Sequence, residues 1–224
     1  MIATSENRPE PRRRPHPSRR GALAALAAAL AAPLALGAAR AAVVTMLGDS
    51  ITAGLGLPAR DALPAQLGEA LTRRGINAVV RGAGVSGDTS ADALARVDFS
   101  VQPDTTVCLV ALGGNDLLQG VEPQALHDNL QAIVRRLKAR KIPVVLAGMR
   151  APPAIGPDYA RAFNAVYPSL ARGEHVTLYP YLLDGVASSS QLNQKDGIHP
   201  NAAGVKIIAE RLAPVMAQAL AARR

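Results

Sequence analysis

The chain has 224 residues, 49% of them hydrophobic, with 25 basic and 17 acidic side chains for a formal charge of +8, and one cysteine. Residues 1–41 hold seven of the basic and two of the acidic residues, so the remaining 183 residues carry 18 against 15, a net charge of +3. That remainder suits one buried core, has no Lys/Arg stripe with interleaved aromatics for a nucleic-acid partner, and cannot form an intramolecular disulfide.

The first 41 residues read as an export signal. Met1 to Arg20 carries six arginines against Glu6 and Glu10, Gly21 to Leu36 is apolar, and Ala39-Arg40-Ala41 supplies an A-x-A cleavage site. A membrane-spanning helix over Gly21 to Ala39 is the alternative, but alanine-rich content with Pro33 and Gly37 makes a weak anchor. Cleavage after Ala41 gives an exported protein, periplasmic or secreted. Arg19-Arg20 leaves both the general secretory and the twin-arginine routes open.

From residue 42 onward, short apolar runs alternate with segments of helical period, the pattern of a parallel sheet covered by helices on both faces. Five strands are expected: Ala42 to Leu47, Ala78 to Arg81, Thr105 to Leu112, Pro143 to Gly148 and His175 to Tyr179. Their continuous hydrophobicity fits strands buried on both sides. Leu63, Leu67 and Leu71 mark one amphipathic helix; Leu126, Leu130, Ile133 and Leu137 mark another that starts at Pro123. A last helix follows Pro200 with Val205, Ile208, Leu212 and Val215 on its apolar face, and Pro214 is expected to kink or split it. Cys108, among apolar neighbours, reads as a buried structural thiol.

Three polar, glycine-rich turns follow three of these strands: Gly48-Asp49-Ser50, Gly82-Ala83-Gly84 and Gly113-Gly114-Asn115-Asp116. In an open α/β sheet the ligand crevice lies at the carboxyl ends of the strands, so the turns are expected to converge there. Singly, each reads as a cap or punctuation. Asp196-Gly197-Ile198-His199-Pro200 changes the balance, because a spacing of three residues lets Asp196 reach one ring nitrogen of His199 while the other faces outward. Ser50, His199 and Asp196 then suit nucleophile, base and orienting acid. The Ser50 N–H, the Gly84 N–H and the Asn115 side chain suit an oxyanion site.

With these blocks in order, the sequence resembles the SGNH hydrolases, the GDSL family of esterases and lipases. The stretches Gly48 to Leu57, Gly84 to Thr89 and Gly148 to Pro153 look most like the exported bacterial thioesterase/lysophospholipase/arylesterase branch. The resemblance implies a flavodoxin-like three-layer α/β/α sandwich, with a five-stranded parallel sheet of order 2-1-3-4-5. It also implies no metal or organic cofactor, and hydrolysis of small acyl esters or thioesters through an acyl-enzyme. A carbohydrate acetylesterase on the same fold is the alternative substrate class. The resemblance further gives an acyl pocket shaped by Leu117, Leu118, Val121 and Ile155, transient contact with lipid, and no obligate protein partner. Gly82 stands where the branch usually has asparagine and Leu63 where it often has tryptophan, changes expected to affect the second turn and packing near the acyl site.

Two other readings fare worse. Gly82-Ala83-Gly84-Val85-Ser86-Gly87 satisfies G-x-G-x-x-G, but Asp104 precedes the next strand instead of ending it, against a dinucleotide-dependent oxidoreductase. His16, His127, His175 and His199 have no metal-ligand spacing.

Overall fold

The computed structural model describes residues 41–223. The leader expected over residues 1–41 lies outside the described residues except for Ala41. From Ala42 the chain alternates strand and helix: β1 (Ala42–Gly48), α1 (Ser50–Ala53), α2 (Leu63–Arg73), β2 (Ala78–Gly84), α3 (Ser90–Ser100), β3 (Val107–Ala111) and α4 (Gly114–Leu118). Then come α5 (Pro123–Ala139), β4 (Val144–Ala147), α6 (Pro157–Glu174), β5 (Thr177–Tyr179) and α7 (Ala202–Ala221). The five strands form one sheet of order β2-β1-β3-β4-β5, parallel at every pairing. Helix α2 packs on α7, while α3, α5 and α6 pack in series, giving the α/β/α sandwich.

Burial follows sheet position. β3 and β4 are buried along their whole length, as is β1 from Val44 onward, because helices cover both faces. β2 and β5 are the edges and are only partly covered: Val79 on β2 is 53% exposed. The expectation of burial on both sides therefore fails at these two strands. The helical stripes behave as expected, with Leu63, Leu67, Leu71, Leu126, Leu130, Ile133 and Leu137 all in the core. Leu63 is thus a core residue at the start of α2.

Two boundaries differ from the sequence reading. β2 runs on through Gly82, Ala83 and Gly84, which pair with Met46, Leu47 and Gly48. The turn after it is Val85–Asp88, closed by the Asp88 N–H donating to the Val85 carbonyl at 3.2 Å. Pro214 neither ends nor splits α7, which continues to Ala221 with Met216 and Leu220 buried beyond it; Val215 is only half-buried. Burial of that second half outweighs the one N–H that proline lacks.

Sheet order places the chemistry. Connections leave β1 toward β2 on one side and enter β3 on the other, so a crevice opens between the ends of β1 and β3. Gly48 is required there: a Cβ on it would lie 2.1 Å from Thr52 Oγ1 and 2.9 Å from the Ala111 carbonyl.

Candidate active site

Ser50 is the first residue of α1. Its neighbour Asp49 is the N-cap, accepting the Ile51 N–H on Oδ1 at 3.0 Å, which leaves the Ser50 hydroxyl free of any capping duty. The hydroxyl lies 2.8 Å from His199 Nε2. His199 Nδ1 lies 2.7 Å from Asp196 Oδ2, and Asp196 Oδ1 accepts the N–H groups of Ile198 and His199 at 2.9 and 3.0 Å. Those two backbone donors, the His199 one first, and then the imidazole pull the Asp196 carboxyl down to about 2. An ionised carboxylate only accepts, so Nδ1 carries the ring proton and the Nε2 lone pair faces the Ser50 hydroxyl.

The loop that presents His199 is fastened to the loop behind Ser50. Gln194 Nε2 donates to the carbonyls of Leu55 (2.8 Å) and Pro200 (3.0 Å), and the Gln194 N–H donates to the His199 carbonyl at 2.7 Å. Asn201 caps α7 through the Gly204 N–H at 3.1 Å. Helix entry and a single glutamine thus fix the imidazole relative to the nucleophile.

A cavity of about 390 Å³ opens over this group. Ser50, Gly87, Asn115 and His199 are among its lining residues; Ile51, Leu117, Leu118, Met149, Leu183 and Ile198 are among its apolar walls. Asn115 donates from Nδ2 to the Asp88 carbonyl at 2.8 Å, which orients the amide and leaves its second N–H for another acceptor. Gly87 has φ +91°, close to the roughly +80° of the third residue of a type II turn. A Cβ on it would meet nothing within 4 Å. Asp49, 4% exposed, is raised to about 6, chiefly by burial.

The structure brings Ser50, Asn115, His199, Leu117 and Leu118 to this cavity, with Asp196 behind His199, but not every expected residue. Gly84 is not in the cavity wall: it ends β2 against α1, where a Cβ would lie 2.4 Å from the Ala53 nitrogen and 2.6 Å from the Asp49 carbonyl oxygen. Its missing side chain is a packing requirement, and Gly87, three residues on, stands in the wall instead. Val121 also falls outside, at the base of α5 with its carbonyl taken by Tyr159 Oη at 2.7 Å. Ile155 sits half-exposed on a one-turn helix beyond Pro152.

Sequence reasoning missed the wall formed after β5 by Tyr181, Leu183, Ala187 and Ser188. Its signal was available: Tyr181-Leu182-Leu183 is an apolar run at a strand's carboxyl end, the place already identified for the other turns. Arg150, also in the wall, lies 4.9 Å over the Tyr181 ring. Among the described residues, no cluster of three His, Cys, Asp or Glu side chains could hold a metal ion.

Known proteins are similar to this chain in sequence and fold. The profile of the GDSL-like lipase/acylhydrolase family matches residues 46–207. The chain is 36% identical over 192 residues to "Esterase TesA" of Pseudomonas aeruginosa, covering 85% of this chain and 96% of that one. It is 38% identical over 177 residues to "Thioesterase 1/protease 1/lysophospholipase L1" of Escherichia coli K12, covering 79% and 84%. The crystal structure of AlinE4, described as an SGNH-hydrolase family esterase, superposes with a TM-score of 0.68 at 44% identity, covering 80% of this chain and 97% of that one.

Proposed function

Because the chain belongs to the GDSL-like lipase/acylhydrolase family and is a serine hydrolase of carboxylic esters or thioesters, we propose residue roles, a substrate class and a location. Ser50 Oγ attacks the substrate carbonyl carbon while His199 Nε2 takes its proton. Asp196 holds the imidazolium in place. The carbonyl electron pair moves onto oxygen, where the N–H groups of Ser50 and Gly87 and the Asn115 amide receive it. Collapse of the adduct expels the alkoxide or thiolate, which takes the proton from Nε2. Water then attacks the acyl-enzyme, losing a proton to His199, and the acid leaves as Ser50 regains its hydrogen.

The observation that carries this reading is the chain of contacts Ser50 Oγ–His199 Nε2 at 2.8 Å and His199 Nδ1–Asp196 Oδ2 at 2.7 Å, at the mouth of an apolar cavity. At about 390 Å³ the cavity is near the small end of the ~300–1,000 Å³ range of ligand sites. Its apolar walls fit one acyl chain better than a sugar ring. Single-chain acyl esters and thioesters are therefore the proposed substrates, with contact to lipid during capture. The test is hydrolysis of p-nitrophenyl esters of increasing acyl length. The reading requires kcat/KM to rise with chain length until the cavity is filled, each accommodated CH₂ adding up to ~0.8 kcal/mol, and Ser50→Ala to abolish turnover. A rate independent of acyl length would remove the acyl-chain assignment.

The leader of residues 1–41 supports export to the periplasm or beyond. No helix of the described residues is long and apolar enough to cross a membrane.

A further inference from the structure

Outside the triad, one cation touches the ends of β1 and β2 and the turn that carries Gly87. The Arg96 side chain, 20% exposed, leaves α3 and meets four acceptors. Nε pairs with Asp88 Oδ2 at 2.6 Å, Nη1 donates to the Ala83 carbonyl and to Ser100 Oγ, and Nη2 donates to the Gly48 carbonyl, each of these three at 2.9 Å. Gly48 ends β1 two residues before Ser50; Ala83 is the penultimate residue of β2; Asp88 closes the turn that carries Gly87. The Gly48 carbonyl also accepts the Val85 N–H at 3.1 Å, so the turn's first residue is tied to the same point.

We propose that Arg96 is a positioning residue for the oxyanion site, holding the Val85–Asp88 turn so that the Gly87 N–H and, through the Asp88 carbonyl, the Asn115 amide stay aimed at one point. The inference rests on the oxyanion roles proposed above. Asp88 faces both ways: its carboxylate answers Arg96, and its backbone oxygen takes the Asn115 Nδ2–H at 2.8 Å. A displaced Asp88 therefore misdirects two donors at once, whereas the contact between Ser50 and His199 does not pass through it. The arrangement needs an arginine. A planar fork can serve two strand-end carbonyls and a carboxylate together, while a lysine ammonium offers one flexible point of attachment. Gly48 and Ala83 belong to the last two pairs of the β1–β2 ladder, and one partly buried cation donates to both carbonyls.

The test compares Arg96→Lys, Asp88→Asn and Asn115→Ala using p-nitrophenyl butyrate turnover and inhibition by butylboronic acid, whose tetrahedral adduct on serine places an oxygen toward the oxyanion donors. Active-site titration corrects for any misfolded fraction. Arg96→Lys is expected to lower kcat by about 10- to 100-fold, the range for an ångström-scale misplacement. KM should stay within about twofold and the pH profile keep its wild-type inflection, while boronate affinity falls in parallel with kcat. Asp88→Asn, which keeps the backbone carbonyl, should move in the same direction, and it carries the test should Arg96→Lys not fold. Placed on Asn115→Ala, the Arg96→Lys change should cost less than on wild type, because the two act on one site. Folded Arg96→Lys and Asp88→Asn proteins with wild-type kcat and boronate affinity, beside an Asn115→Ala protein that has lost turnover, would overturn this inference alone. An Asn115→Ala protein with full kcat would overturn the oxyanion reading and this inference with it.

Discussion

Ser50 shows how a neighbour decides whether a hydroxyl is structural or reactive. The turn Gly48-Asp49-Ser50 offers two residues able to cap α1, and Asp49 takes that role. The cap is a buried acid, and burial raises its carboxyl to about 6 from an ordinary 3.8. Between those values the folded protein binds more protons than the unfolded chain, so Asp49 favours folding in acid and loses that contribution as pH rises from about 4 to about 6. Asp49→Asn keeps the capping oxygen without the charge. It should raise Tm at pH 7 to 8, with the gain fading below about pH 4; thermal melts that show the same difference at pH 4 and pH 8 would contradict this. Asp196 behaves oppositely: lowered to about 2, its stabilising contribution is present above about 4 and disappears as pH falls toward 2. Asn115→Ala should cut turnover by roughly 100-fold or more while leaving the melting transition nearly unchanged. The two glycines separate packing from chemistry. Gly84→Ala drives a Cβ into the α1 backbone and should appear as lost stability, whereas Gly87→Ala meets open space and should appear as lost activity, with at most ~1–2 kcal/mol of strain from its positive φ. The meeting of Ser50, Asn115 and His199 at one cavity, with Asp196 beside His199, was legible because each sits in a short motif at a strand's carboxyl end or just before a helix. Gly87 was not singled out, because several glycines stand close together between Arg81 and Thr89, and only strand pairing reveals which of them lies within the ladder and which lies in the turn.

The elements were legible where hydrophobic period dominates. Leu126, Leu130, Ile133 and Leu137 recur at helical spacing and all four are buried in α5, with Pro123 at its start as expected. Leu130→Ala should therefore destabilise the fold by about 2–5 kcal/mol, read as a shifted denaturant midpoint with kcat per folded molecule preserved. Edges were harder to anticipate. Composition alone cannot tell β2 from β3, since both are rich in small apolar residues, yet one is an edge strand and the other is central. Pro214 failed as a breaker for a similar reason: local propensity opposes the helix there, and the burial of Met216 and Leu220 decides the outcome. The wall at Tyr181 to Ser188 carries no motif, so only its position after β5 gives it a role.

For the whole molecule, strand order converts dispersed motifs into one site. Ser50 and His199 stand 149 residues apart in sequence and 2.8 Å apart in space, because β1 is central and the loop before α7 returns across the carboxyl end of the sheet. Export belongs to the same scale. Cleavage after Ala41 would leave β1 whole, since that strand begins at Ala42, whose N–H donates to the Asn77 carbonyl at 3.2 Å. Amino-terminal sequencing of the protein recovered outside the cytoplasm should begin at Ala42; an intact start at Met1 in that fraction would contradict the leader assignment. The central claim is that Ser50 is the nucleophile, activated by His199. It is tested most directly by reacting the folded protein with a fluorophosphonate and locating the adduct by peptide mass spectrometry. One equivalent of label on Ser50, greatly slowed in His199→Ala and absent in Ser50→Ala, is the predicted result. Label on another residue, or a catalytically active protein that takes none, would contradict it.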